Sequence, residues 1–264
     1  MRVYQLMTPT VVTIAKSKSL MEAVELMEKN KVSRLLVTDD GKIAGTLTEK
    51  DIIRGLGTPQ AYRVPPSRIH VSGVMGRDPI TVEPELTAKR AAELMLERNI
   101  SGLPVVAGSE LRGILTKMDF TKICFDYGDI YVGEVMETTP ITVSPDDRVL
   151  YARKLMLEEG VGALPVLVER ELVGLLTTRE VALKLAAFHE VAEDTRRSER
   201  VKNLLVGDIM LRPPVTVRTD ATLGEAARLM WEKKISGVPV VNLEGGLAGL
   251  LTKTELVEVA RERL

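Results

Sequence analysis

The sequence predicts an α+β protein built from four β-α-β-β-α repeats, on three observations. One phrase recurs four times, as Gly45-Thr46-Leu47-Thr48-Glu49-Lys50-Asp51, Gly113-Ile114-Leu115-Thr116-Lys117-Met118-Asp119, Gly174-Leu175-Leu176-Thr177-Thr178-Arg179-Glu180 and Gly249-Leu250-Leu251-Thr252-Lys253-Thr254-Glu255. A short lead-in ending in Met (Met7, Met75, Met136, Met210) opens each repeat. Between lead-in and phrase, a β-branched run and an apolar stripe at helical spacing recur in the same order.

After each lead-in, Thr10–Ile14, Pro79–Val82, Pro140–Val143 and Pro214–Val217 read as short strands, the Pro standing where no ladder donor is needed. A helix of about three turns comes next. Leu20, Ala23, Val24 and Met27 form one apolar stripe, matched by Ala88, Ala91, Ala92 and Met95 and by Leu223, Ala226, Ala227 and Met230. The third repeat keeps Val149, Ala152 and Met156, but Arg153 narrows its stripe. Two strands then meet at a turn. The first reads Ser-Gly-x-Pro-Val in repeats two and four and Gly-Ala-Leu-Pro-Val in the third, whereas the first repeat has Leu36 in place of Pro. The second strand ends in Thr-x-x-Asp/Glu and leads into another helix.

The repeats span 1–56, 70–125, 131–192 and 205–264. Units of this size bury one sheet face and leave another apolar, so pairs are expected. Gly55–His70 reads as an irregular loop. The stretch Val181–Asn203 begins as a helix and turns polar from Glu193 to Arg200.

No apolar run approaches the roughly 18 residues of a membrane helix, and Met1–Met7 lacks the apolar core of a secretory signal. With the lone Cys124, this predicts a reducing, cytoplasmic location. A net charge of −1 and 3% aromatic residues argue against nucleic acid or membrane as partner. Scarce Gln and Asn beside plentiful Glu, Lys and Arg match the bias of heat-adapted proteins. No metal-ligand spacing, Gly-x-Gly-x-x-Gly, Walker loop or His–Cys–Asp cluster points to an enzyme.

Thr-x-x-Asp/Glu at a helix mouth has two readings. It is a capping box, for which Glu suits better than the shorter Asp. It is also a carboxylate able to accept hydrogen bonds from a ribose diol, favoured at Thr48–Asp51 and Thr116–Asp119. Lys50, Lys117, Arg179 and Lys253 stand in the first helical turn, where the helix dipole disfavours cations. A phosphate there would reverse that cost; surface ion pairing is the alternative. Arg34, where other repeats carry Gly or Ala, is a further phosphate candidate.

These motifs together resemble cystathionine-β-synthase (CBS) domains, arranged as two tandem pairs called Bateman modules. The resemblance covers the whole chain. It implies modules 1–125 and 131–264, each formed around a pseudo-two-fold axis with two clefts. Such clefts bind adenine nucleotides or S-adenosylmethionine and regulate an attached or partner protein. Carried over, Asp51 and Asp119 would hold ribose, with Thr48 and Thr116 beside ribose or phosphate. Phosphate would meet Arg34, Lys50 or Lys117. Adenine would lie against Val12, Thr13, Ile80 and Thr81, with Pro104 and Val105 nearby. In the second module Thr177, Glu180, Thr252 and Glu255 match, but both acids depart from Asp, leaving a structural role as the alternative there. The expectation is a stand-alone sensor needing no cofactor, with AMP, ADP, ATP or S-adenosylmethionine as regulatory ligand and an unknown protein partner, its two modules either closing a disc within one chain or forming a homodimer through their helices. A ligand-free scaffold is the competing reading.

Overall fold

The computed structural model describes residues 1–57, 64–191 and 201–264. The four stripes form helices Leu20–Asn30, Ala88–Glu97, Val149–Glu158 and Leu223–Lys233, with every stripe residue buried. Ser19, Thr87 and Thr222 cap three of them by accepting the amide of the third helical residue. Arg153 leaves its stripe to donate to the carbonyls of Ile53 and Arg54, at the end of helix Glu49–Leu56. Those last-turn carbonyls lack intrahelical partners, and the helix dipole favours a cation there.

Each Thr-x-x-acid phrase ends an antiparallel hairpin: Arg34–Asp39 with Lys42–Thr48, Gly102–Ala107 with Glu110–Thr116, Ala163–Val168 with Glu171–Thr177, and Gly237–Val241 with Leu247–Thr252. All four hairpins shift register just before the phrase glycine, which pairs with Val37, Val105, Val166 or Val240. The β-branched runs add in parallel and are shorter than expected. Val82 and Val143 make single bridges, Val217–Arg218 is a two-residue strand, and Thr13–Ala15 has three residues. Leu36 explains the longer one. Its amide donates to the Val12 carbonyl at 3.1 Å, a bond that Pro104, Pro165 and Pro239 cannot make.

The second helix of the phrase runs over Glu49–Leu56, Thr178–Val191 and Lys253–Arg263. In the second repeat it is a single turn, Lys117–Phe120, followed by a 3-10 turn at Ile123–Asp126. Pro66–Arg68 also forms a 3-10 turn, so part of the expected loop Gly55–His70 is regular. Residues 58–63 of that loop, residue 192 of the expected third repeat and the polar stretch 193–200 lie outside the described residues.

The lead-ins are exchanged between repeats adjacent in sequence. Thr8 pairs with Ile114, and Gly76 with Thr46; Glu137 pairs with Leu250, and Leu211 with Leu175. The exchange also completes the stripe helices. The amide of Leu20 donates to the Ile69 carbonyl and that of Ala88 to Met1, while Val149 donates to Leu204 and Leu223 to Ile130. Orphan amides at four helix starts are thereby satisfied by the neighbouring repeat.

The chain forms two compact units. One comprises Val12–Asp78 and Ile141–Pro214, from the first and third repeats; the other comprises Met1–Val11, Pro79–Pro140 and Val215–Leu264, from the second and fourth. Each unit has its own apolar core. In the first, helix Glu49–Leu56 packs on Thr178–Val191; in the second, Lys253–Arg263 packs on Ala88–Glu97 and Lys117–Phe120. This division differs from the expected modules 1–125 and 131–264. Helix packing joins alternate repeats, whereas lead-in exchange joins sequential ones.

Candidate functional site

Thr48 and Asp51 are brought together by the strand-to-helix corner at the start of Glu49–Leu56. The Thr48 amide and hydroxyl both donate to Asp51 Oδ2, at 2.9 and 2.6 Å. Asp51 Oδ1 accepts from Arg54 at 2.9 Å. The Arg34 backbone stands directly opposite Thr48 in the hairpin register, with its side chain half-buried. Val12 is half-buried and Thr13 exposed on the adjoining parallel strand.

In the other unit, Thr116 donates through amide and hydroxyl to Asp119 Oδ2, both at 2.8 Å. Asp119 Oδ1 accepts from the Thr8 hydroxyl at 3.1 Å, with Lys122 at 3.6 Å. Asp119 is only 2% exposed. Ile80 and Thr81 are exposed, whereas Pro104 is buried. The Val105 side chain is fully buried in the core of its unit.

The phrase in the third repeat joins the Thr177 hydroxyl to Glu180 Oε2, and in the fourth Thr252 donates through amide and hydroxyl to Glu255 at 2.6 and 2.7 Å. Burial pushes the Glu255 carboxyl above its ordinary pKa, outweighing the hydrogen bonds from Thr252. Both Asp phrases nonetheless close a capping box, as the fourth repeat does with Glu. Asp51 and Asp119 accept from the capping amide at 2.9 and 2.8 Å, against 2.6 Å for Glu255, on the oxygen that also takes the Thr hydroxyl.

Three of the four cations in this turn, Lys50, Lys117 and Arg179, reach the packed alternate repeat. Lys50 donates to the Gly160 carbonyl, Lys117 donates to the Thr254 hydroxyl at 3.0 Å, and Arg179 lies 3.7 Å from Glu49. Burial lowers the Lys50 pKa, with Arg54 adding to the shift and Asp51 opposing it. For these three, the cation in this turn has a packing explanation. Sequence reasoning missed Thr8 as a partner of Asp119, although its signal is visible: it follows the lead-in Met, and the lead-ins recur with the phrases.

The CBS domain family model matches residues 3–58, 71–126, 132–187 and 206–262, so the chain belongs to the CBS domain family. It is similar to protein MJ1225 of Methanocaldococcus jannaschii, at 24% identity over 266 residues and 94% of each chain. The crystal structure of MJ1225, proposed as an archaeal homologue of g-AMPK, superposes with a TM-score of 0.84 at 23% identity, covering 98% of this chain and 99% of that one. A conserved protein of Pyrococcus horikoshii gives a TM-score of 0.64 at 26% identity over 98% of this chain and the whole of that one. A 116-residue segment is 42% identical to the inosine-5'-monophosphate dehydrogenase of Korarchaeum cryptofilum, covering 44% of this chain and 21% of that enzyme. The fold likeness extends over the full chain. Among the described residues no helix is long and apolar enough to cross a membrane.

Proposed function

We propose that this chain is a non-catalytic cytoplasmic sensor that binds an adenosine-containing ligand and passes its occupancy to a protein partner. AMP, ADP, ATP and S-adenosylmethionine are the ligands in question, held as regulators and not as cofactors. The observation that carries the reading is the state of Asp51. One of its oxygens is fixed by Thr48, while the other, among the described residues, accepts from Arg54, whose side chain is 63% exposed. A rigid carboxylate with an accessible oxygen at a helix mouth is suited to a ribose diol, and Arg34 opposite Thr48 supplies a cation for phosphate. Asp119 has the same anchoring and forms the second ribose site.

Glu180 and Glu255 serve mainly to begin their helices. The competing reading, a ligand-free scaffold, draws support from the capping contacts in all four phrases and from the engagement of Lys50 and Lys117 in repeat packing. Thermal unfolding in the presence of each nucleotide separates the two. A ligand that binds only the folded chain raises the melting temperature with its concentration. The sensor reading predicts a rise with at least one of AMP, ADP, ATP, S-adenosylmethionine or NAD. No rise with any of them at millimolar concentration supports the scaffold.

A further inference from the structure

We infer that the residue following each lead-in Met controls access to the acid of the neighbouring repeat, and that Asp51 is consequently the higher-affinity ribose site. The inference rests on the ribose role proposed for Asp51 and Asp119. Gly76, Thr8, Leu211 and Glu137 occupy equivalent positions, because each pairs with the residue after a phrase glycine: Thr46, Ile114, Leu175 or Leu250. The exchanged lead-in thus lays a different side chain beside each Thr-x-x-acid corner.

At Asp119 that side chain is Thr8. Its backbone is fixed by reciprocal hydrogen bonds with Ile114, both 2.9 Å, and its hydroxyl occupies Asp119 Oδ1 at 3.1 Å. Oδ2 is already taken by Thr116. A ribose hydroxyl must therefore share Oδ1 with Thr8 or displace it. At Asp51 the equivalent residue is Gly76, which has no side chain. Even an added Cβ there would find its nearest neighbours, on Thr46, no closer than 3.7 Å. Among the described residues, Oδ1 of Asp51 is held by the exposed Arg54, and the carboxylate side chain is 16% exposed against 3% for Asp119. The other two corners receive the apolar Leu211 and an acid, Glu137, whose carboxylate accepts from the amide and hydroxyl of Thr139. Of the four, the corner at Asp51 is the one facing no side chain from this position.

A hydrogen bond to a charged acceptor changes an equilibrium constant by roughly ten- to a hundredfold, which sets the scale of the effect. Calorimetric titration of the full chain with AMP tests it. Asp51→Ala is expected to remove the tighter binding event and leave a weaker one. Adding Thr8→Ala to that background is expected to tighten the weaker event by about tenfold, and Thr8→Ser to leave it unchanged. Gly76→Thr alone is expected to weaken the tighter event by a similar factor. Circular dichroism melts establish that each variant is folded. Should Thr8→Ala leave the Asp119 event unchanged or weaken it, or should Asp119→Ala remove the tighter event, the control by the lead-in residue is overturned while ribose binding stands. No heat from AMP in the wild-type chain or any variant would overturn both.

Discussion

At Glu255, Asp119 and Arg153, single side chains do work that their residue type alone does not announce. Glu255 caps helix Lys253–Arg263 from a buried position, and desolvation holds its carboxyl above the ordinary value of 4.5. An acid whose pKa rises on folding stabilises the fold most below its unfolded pKa, and this contribution is lost as pH rises through the folded value. Glu255→Gln removes the titration. The stability of the wild type relative to this variant is therefore expected to be greatest below pH 4.5 and to decline toward neutrality, as read from urea unfolding at a series of pH values. A relative stability that grows with pH would contradict the burial argument. The positions of all four acids were legible in the sequence, from the recurrence of the phrase. The Asp-to-Glu difference was legible too, but the inequality of Asp51 and Asp119 was not. It comes from Thr8 at Asp119 and Arg54 at Asp51, contacts set by where the lead-in and the helix place their side chains.

Among the elements, lead-in and hairpin form one mechanical unit. The phrase glycine lies beneath the exchanged lead-in: a Cβ on Gly113 would stand 2.7 Å from the Thr8 carbonyl oxygen and 2.9 Å from Met7 Sδ. On Gly249 it would stand 2.5 Å from the Glu137 carbonyl and 2.6 Å from Met136 Sδ. The recurring Met and the recurring Gly, two separate signals in the sequence, are thus two sides of one contact. Gly113→Ala is expected to cost about 1–3 kcal/mol, the scale of overpacking a filled site, by forcing the lead-in off its strand. Gly73→Ala, where an added Cβ meets nothing within 4 Å, is the control and should change stability by less than about 0.5 kcal/mol. Equal effects of the two substitutions in urea unfolding would contradict the contact. The stripe helices and hairpins were readable because period and turn chemistry act locally. The lengths of the parallel strands were less so, since they depend on whether a Pro or a Leu faces the neighbouring strand.

For the whole molecule, two ways of joining repeats are superimposed. Exchange of lead-ins ties the first repeat to the second and the third to the fourth, while helix packing builds one core from the first and third and another from the second and fourth. Sequence adjacency suggested the first kind of link and gave no sign of the second, because the apolar faces of helices Glu49–Leu56 and Thr178–Val191 carry no mark of which partner they meet. A fragment of residues 1–128 would lose the helices that cover Ile52, Ile53 and Leu56 in one core and Ala91 and Met95 in the other. It is expected to self-associate in sedimentation and to melt well below the full chain; a monomeric fragment of full stability would contradict shared cores. The sensor reading rests ultimately on a diol held by a carboxylate. The most direct test is equilibrium binding of AMP against 2′,3′-dideoxy-AMP, which differs only in lacking the two ribose hydroxyls. The account predicts at least about a tenfold loss of affinity for the dideoxy nucleotide, the scale of a hydrogen bond to a charged acceptor. Equal affinity for the two nucleotides would contradict it.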